Sequence, residues 1–158
     1  GDVYKRQSLS PEEVFKKIGM KIMTTVGGSS GALFATLLMG MAKKYSKELN
    51  DLVNLAALFY EGVEATKKRG KADLGEKTML DVLIPVSLLL NKLKNEKNIK
   101  IVAEKIKMVA NEGMLSTRDI MATKGRASFL GERAIGHIDP GARSSQLAIS
   151  ALCDEYIY

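Results

Sequence analysis

Along nearly all of this chain the apolar residues recur at helical spacing, and no segment sustains the alternation of a strand, so the sequence confines the fold to helices. Ser10-Pro11-Glu12-Glu13 combines a capping serine, a proline at the first helical position and a glutamate three residues after the cap. Val14, Ile18, Ile22 and Val26 then fall four apart, with Phe15 and Met23 widening the stripe, which turns one face inward. Ala32 to Ala42 is apolar all round the cylinder, as a central helix would be. Asp51 to Lys68 gathers Leu52, Leu55, Ala56, Phe59, Val63 and Thr66 on one side. Thr78 to Leu93, Asn98 to Asn111, Thr117 to Lys124 and Gly141 to Tyr156 bring the expectation to about seven helices in an antiparallel bundle or barrel. Pro85 removes a backbone donor and is expected to bend its helix. The charged stretch Asn91 to Lys100 reads as a solvated connection.

Three glycine-bearing segments interrupt this pattern. Gly125 to Ser145 reads GRASFLGERAIGHIDPGARSS and places glycines, arginines, a histidine and an aspartate where a core helix would carry leucines. Gly131, Gly136 and Gly141 recur every five residues, a period that no helix or strand face demands, and each costs about 1 kcal/mol against Ala inside a helix. Free amides, Arg126, Arg133 and Arg143, and a helix start after Asp139-Pro140-Gly141 suit an anionic ligand. Gly27-Gly28-Ser29-Ser30-Gly31 stands between two helical patterns and leads into the N-terminus of the second, where unpartnered amides attract phosphate. A flexible joint with a serine cap is the plainer reading of the same residues. Gly70 to Met79 nearly spells the phosphate-cradling loop G-x-x-x-x-G-K-[ST]. Glu76 intrudes before Lys77, and a helix rather than a strand precedes Gly70, so the strand-loop-helix nucleotide fold is rejected and the lysine-bearing glycine loop is kept as a candidate anion contact.

Composition narrows the classes. The chain has 158 residues, enough for one domain with a buried core. Its net charge of +6 comes from 24 basic residues dispersed among 18 acidic ones, with no basic run beyond Lys67-Lys68-Arg69, so no nucleic-acid partner is expected. A lone Cys153 excludes an intramolecular disulfide and any C-x-x-C metal site, and the cytoplasm is the default compartment. The most apolar stretch, Gly31 to Ala42, is too short for a bilayer, which takes about 20 residues, so no membrane partner is expected.

Read together, VGGSSGALFAT at Val26 to Thr36, RGKADLGEKTMLDVLIP at Arg69 to Pro85 and TKGRASFLGERAIGHIDPGARSS at Thr123 to Ser145 resemble the L subunit, or nucleotide-binding domain, of dihydroxyacetone kinase. The resemblance spans most of the chain from about Ser10 onward and implies an all-α, eight-helix antiparallel barrel. That barrel would bind ADP or ATP with Mg²⁺ and pass a phosphoryl group to dihydroxyacetone held by a partner K subunit. A phosphocarrier protein that recharges the nucleotide is a further possible partner. The same resemblance implies that Ser29 and Ser30 contact phosphate and that Gly70 and Met79 line the adenine pocket. It further implies that Arg126 reaches the phosphates and that Asp139, Pro140 and Gly141 close over the nucleotide. For an apolar residue beside a helix start, a core position is the usual alternative, and Arg126 could instead pair with Glu132. His137, between Gly136 and Ile138, reads as a structural hydrogen-bonding residue rather than a phosphoryl carrier, and no catalytic residue is assigned.

The family pattern also carries a metal motif D-x(4)-D-x-D-x-G upstream of the glycine-serine loop. Only Gly1-Asp2 has a counterpart here, which leaves Asp2 as the one metal candidate. Residues 1–9 accordingly read as a truncated or foreign lead, with the first barrel helix missing, and residues 10–158 as a single helical nucleotide-binding domain. Two function classes follow. The first is a kinase subunit, and the second is a non-catalytic or metal-defective helical module that senses nucleotide or binds a protein.

Overall fold

The computed structural model describes residues 20, 28–44, 51–124 and 126–158. Among them lie five α-helices and two 3₁₀ segments, and no strand. The chain divides into two compact units, Gly1–Gly70 and Lys71–Tyr158. The expected helix from Ser10 onward falls almost wholly outside the described residues.

In the first unit, α1 (Gly28–Lys44) packs against α2 (Asp51–Gly70). The contact is close because two glycines face each other. A Cβ on Gly40 would stand 2.9 Å from the Gly62 Cα, and one on Gly62 would stand 2.9 Å from Leu37 Cδ1 and Met41 Cγ. Ala35, Leu37, Met41, Ala56, Phe59 and Val63 form the buried seam. The buried Thr66 hydroxyl donates to the Gly62 carbonyl at 2.8 Å, so no polar atom is stranded there. Lys67, Lys68 and Arg69 occupy the last turn of α2, where positive charge complements the free carbonyls.

In the second unit, α3 (Leu80–Leu93), α4 (Ile99–Ser116) and α5 (Pro140–Ile157) pack together, with α4 against both others. The order is up, down, up: the head of α3 meets the tail of α4 at Gly113, and Lys107 of α4 binds Asp154 near the far end of α5 at 2.6 Å. Asn98 caps α4 by accepting from the Ile101 amide at 3.3 Å. Val82, Leu83, Val86, Leu90, Val102, Ala103, Ile106, Ala110, Met114, Ala142 and Cys153 make the core.

Several boundaries differ from the sequence expectation, and three of them shape the second unit. α3 starts at Leu80 rather than Thr78. α4 continues beyond Asn111 to Ser116, because Gly113 is a packing position and not a stop. The helix expected over Thr117 to Lys124 is only a 3₁₀ turn, Thr117–Asp119, after which Ile120 is extended at φ −111° and ψ 151°. The Thr117 hydroxyl turns back to the Met114 carbonyl at 2.7 Å and closes α4 there.

Pro85 lies inside α3, which runs on through it. Proline has no amide to give the carbonyl four residues earlier, so the Asp81 carbonyl loses its helical donor. That carbonyl lies against α4 at Gly113. A Cβ on Gly113 would fall 3.1 Å from the Asp81 carbonyl carbon and 3.1 Å from Val82 Cα. Gly113→Ala should therefore destabilise the protein by about 1–3 kcal/mol through overpacking, despite a helix-propensity gain of about 1 kcal/mol. Urea unfolding checks this against the exposed neighbour Asn111→Ala, which should change stability by less than about 0.5 kcal/mol.

Candidate functional site

The segment between α2 and α3 is a tight loop whose amides are answered by its own carboxylates. Asp81 Oδ1 accepts from the Gly75 amide at 2.7 Å and its Oδ2 from the Thr78 amide at 3.0 Å. Glu76 accepts from the Asp73 amide at 2.7 Å, and Asp73 from Leu74 at 2.7 Å. Thr78 Oγ1 accepts from the Leu80 amide at 3.0 Å, so Thr78 and Asp81 form a reciprocal cap at the head of α3. Gly75 takes φ +86°, the left-handed conformation that glycine adopts most readily. A loop whose amides already bind carboxylates is not an open phosphate cradle.

Lys77 corrects the sequence reading in the same direction. Its backbone is left-handed at φ +60°, and its side chain is buried, 3% exposed. The ammonium donates to the carbonyls of Thr117 at 2.7 Å, Ala134 at 2.7 Å and His137 at 2.5 Å. An ammonium has three protons and no acceptor, so these partners saturate it. It is not presented to an anion.

The same carbonyls belong to the segment that leads into α5. The 3₁₀ segment Arg126–Ala134 kinks at Gly131, where φ is 57° and ψ −130°. Gly136, at φ +95°, donates its amide to the Arg118 carbonyl at 2.6 Å. The Asp139 amide donates to Thr117 Oγ1 at 3.0 Å, and Thr117 is fully buried. Asp139 then caps α5, accepting from the Ala142 amide at 2.9 Å, with Pro140 in the first helical turn. Gly141 lies against the head of α3, where a Cβ would stand 3.5 Å from Met79 Cε and 3.2 Å from Asp139 Oδ2. The five-residue glycine spacing thus has separate causes, backbone conformation at Gly131 and Gly136 and close approach at Gly141.

Of the residues expected to bind nucleotide, the second unit brings together Met79, Asp139, Pro140 and Gly141. Met79 is 3% exposed, as a core residue would be, and forms the floor beneath Gly141. Ser29 and Ser30 stand in the first turn of α1 and Gly70 ends α2, all in the first unit. Arg126 begins the 3₁₀ segment. The side chains of Ser29, Ser30 and Arg126, and Asp2 entirely, lie outside the described residues. His137 is exposed, and its backbone carbonyl accepts from the Lys77 ammonium. Sequence reasoning missed Asp81 and Thr117. Thr78-x-x-Asp81 ahead of an apolar run was a legible cap signal, whereas nothing local marks Thr117.

The charges at this turn are one ammonium and two carboxylates. Burial is the main influence on the Asp139 carboxyl and lifts its pKa above the ordinary 3.8; the Ala142 amide and the Lys77 charge oppose that lift, and Asp81 adds to it. Cys153 is also raised, chiefly by burial, so its thiol stays protonated and unreactive at neutral pH. A carboxyl with a raised folded pKa holds its proton more tightly in the native state. Its contribution to stability is therefore full below 3.8 and declines as pH rises through the folded value. Asp139→Asn should abolish that decline. Urea melts between about pH 3 and pH 7 should show the stability difference shifting steadily in favour of the variant, and a pH-independent difference would refute the assignment.

A family model described as the DAK2 domain matches residues 2–154. The chain is 44% identical over 140 residues to the ADP-binding subunit of PEP-dependent dihydroxyacetone kinase 1 from Listeria innocua, covering 89% of this chain and 66% of that protein. It is 37% identical over 141 residues to the ADP-binding subunit of the Escherichia coli PEP-dependent dihydroxyacetone kinase, covering 88% and 67%. Among solved structures, the dihydroxyacetone kinase of C. freundii superimposes with a TM-score of 0.67 at 25% identity, over 98% of this chain and 26% of that one. The chain spans about two thirds of the length of these curated relatives. With the match running from residue 2 to residue 154 and the helical class shared, the chain belongs to the DAK2-domain family.

Proposed function

We propose that this chain is the nucleotide-binding component of a phosphotransferase, which binds ADP or ATP and passes a phosphoryl group to dihydroxyacetone held by a partner K subunit. The observation that carries this reading is the identity of 37–44% over nearly the whole chain to proteins named as ADP-binding subunits of dihydroxyacetone kinases. The word PEP-dependent in those names favours a cycle in which bound ADP is recharged by a phosphocarrier protein, in the cytoplasm. No helix among the described residues is long and apolar enough to cross a membrane.

The proposed contacts are Ser29, Ser30 and Gly70 in the first unit and Met79, Arg126, Asp139, Pro140 and Gly141 in the second. Phosphoryl transfer needs phosphates held in place and their charge met; it asks little covalent work of the protein. The two candidate helix starts differ in this respect. α1 carries no acidic residue in its first turn, so the positive end of its macrodipole suits phosphate beside Ser29 and Ser30. α5 has its first turn answered by the Asp139 carboxylate, which repels phosphate. The Asp139-Pro140-Gly141 turn has apolar Met79 beneath it, which suits an uncharged part of a ligand.

Among the described residues no group of three or more His, Cys, Asp or Glu stands together to hold a metal. Asp81 and Asp139 are both engaged with backbone amides. Mg²⁺ would accompany the nucleotide phosphates and neutralise part of their charge.

Calorimetric titration of ADP with and without Mg²⁺ tests the reading. Binding that Mg²⁺ strengthens is expected, and Arg126→Ala should weaken it by about 1.5–3 kcal/mol if the guanidinium holds a phosphate. Equal affinity with and without the metal would favour the nucleotide-sensing module, and no binding under either condition would defeat both.

A further inference from the structure

We propose that Lys77 is a positioning residue for the nucleotide turn: its ammonium gathers the Thr117, Ala134 and His137 carbonyls and thereby sets the backbone from which Asp139 and Gly141 are presented. The proposal rests on the nucleotide reading of that turn. It reverses the role a glycine-loop lysine suggests in sequence, because the charge acts on the protein's own main chain.

Three observations carry it. The three acceptors, at 2.7, 2.7 and 2.5 Å, come from the turn after α4, the end of the 3₁₀ segment and the loop before α5, which are remote in sequence from Lys77 and irregular in structure. None is a carboxylate, so the geometry answers each ammonium proton with one backbone dipole and leaves none for a ligand. The lysine is itself held from both sides. Asp81 fixes the amides of Gly75 and Thr78 that flank it, and Asp81 sits in the first turn of α3.

The path from Lys77 to the turn is short. Thr117 offers its carbonyl to the ammonium and its hydroxyl to the Asp139 amide, at 3.0 Å. Asp139 in turn accepts from the Ala142 amide at 2.9 Å. The neighbouring Gly136 amide is tied to Arg118 at 2.6 Å, so the turn is pinned at both of its approaches. Without the ammonium, the Thr117 and His137 carbonyls would lose this donor, Ala134 would keep the His137 amide at 3.3 Å, and the segment would move toward water to recover the lost bonds.

The test compares Lys77→Met, which keeps the alkyl chain and removes the donors, with Lys77→Gln and Lys77→Arg, using ADP calorimetry and amide hydrogen exchange. In the Met variant, ADP should bind about tenfold more weakly or worse, the scale on which lost supporting contacts weaken a site. The amides of Gly136, Asp139 and Ala142 should exchange faster while those of Val86 and Ile106, in the core of α3 and α4, keep their protection. Lys77→Arg, whose planar fork matches two acceptors better than three, should fall between wild type and Met in both readouts. A folded Met variant with unchanged ADP affinity and unchanged exchange at Gly136, Asp139 and Ala142 overturns the proposal. Global unfolding of both the Met and Gln variants also overturns it, since the ammonium would then serve the whole unit. Failure of the wild-type chain to bind ADP would sink the nucleotide reading alone, and the local exchange pattern would still decide whether Lys77 sets the turn.

Discussion

A buried ammonium surrounded by backbone carbonyls organises the second unit where apolar packing does not reach. Between α4 and α5 the chain buries little of its apolar surface: Phe129 is 87% exposed and Leu130 48% exposed, while among the described residues Ala122 and Ala134 are buried. Irregular backbone cannot lie against a protein body with its polar groups unanswered. Lys77 supplies donors for three carbonyls, and Thr117 supplies the acceptor for the Asp139 amide. Polar pins here do the work that a hydrophobic stripe does for a helix.

The same logic runs with opposite sign at the amides. Asp73, Glu76, Asp81 and Asp139 occupy the backbone donors at Leu74, Asp73, Gly75, Thr78 and Ala142. Two glycine-bearing segments that look like phosphate cradles in sequence are therefore satisfied from within, and added negative charge would meet carboxylates there. The first turn of α1 has no such acid of its own.

The helical class was legible because burial of a helix face leaves a period in the sequence. Phe59, Val63 and Thr66 are buried along α2 as the pattern requires, and the exposed connection after α3 carries the charge expected of it. The end of α4 was less legible. Gly113 looks like a breaker in sequence, but it sits where Pro85 has freed the Asp81 carbonyl, and two residues on different helices must be seen together to tell packing from termination. Lys77 illustrates the limit most clearly. Its motif is local, but its three partners lie in segments whose proximity depends on the packing of α3, α4 and α5, and no spacing rule encodes that. Met79 lies against Gly141 beside the Asp139 cap, whereas Thr117, whose hydroxyl accepts from the Asp139 amide, carries no motif.

Asp81 shows why the residues of such a motif should be interpreted as architecture before chemistry. Its carboxylate closes the loop that carries Lys77, and its main-chain carbonyl lies in the α3–α4 seam at Gly113. One residue therefore links helix packing to loop shape, and through Lys77 loop shape links to the turn at Asp139. A substitution anywhere along this path would alter the shape of the turn at Asp139 from a distance. An aspartate, a lysine and a threonine close to a nucleotide turn would ordinarily be assigned to metal, phosphate and hydroxyl chemistry. Here the ammonium is saturated by carbonyls, and the Asp81 carboxylate and the Thr117 hydroxyl are each bonded to main-chain groups, so all three hold backbone in place.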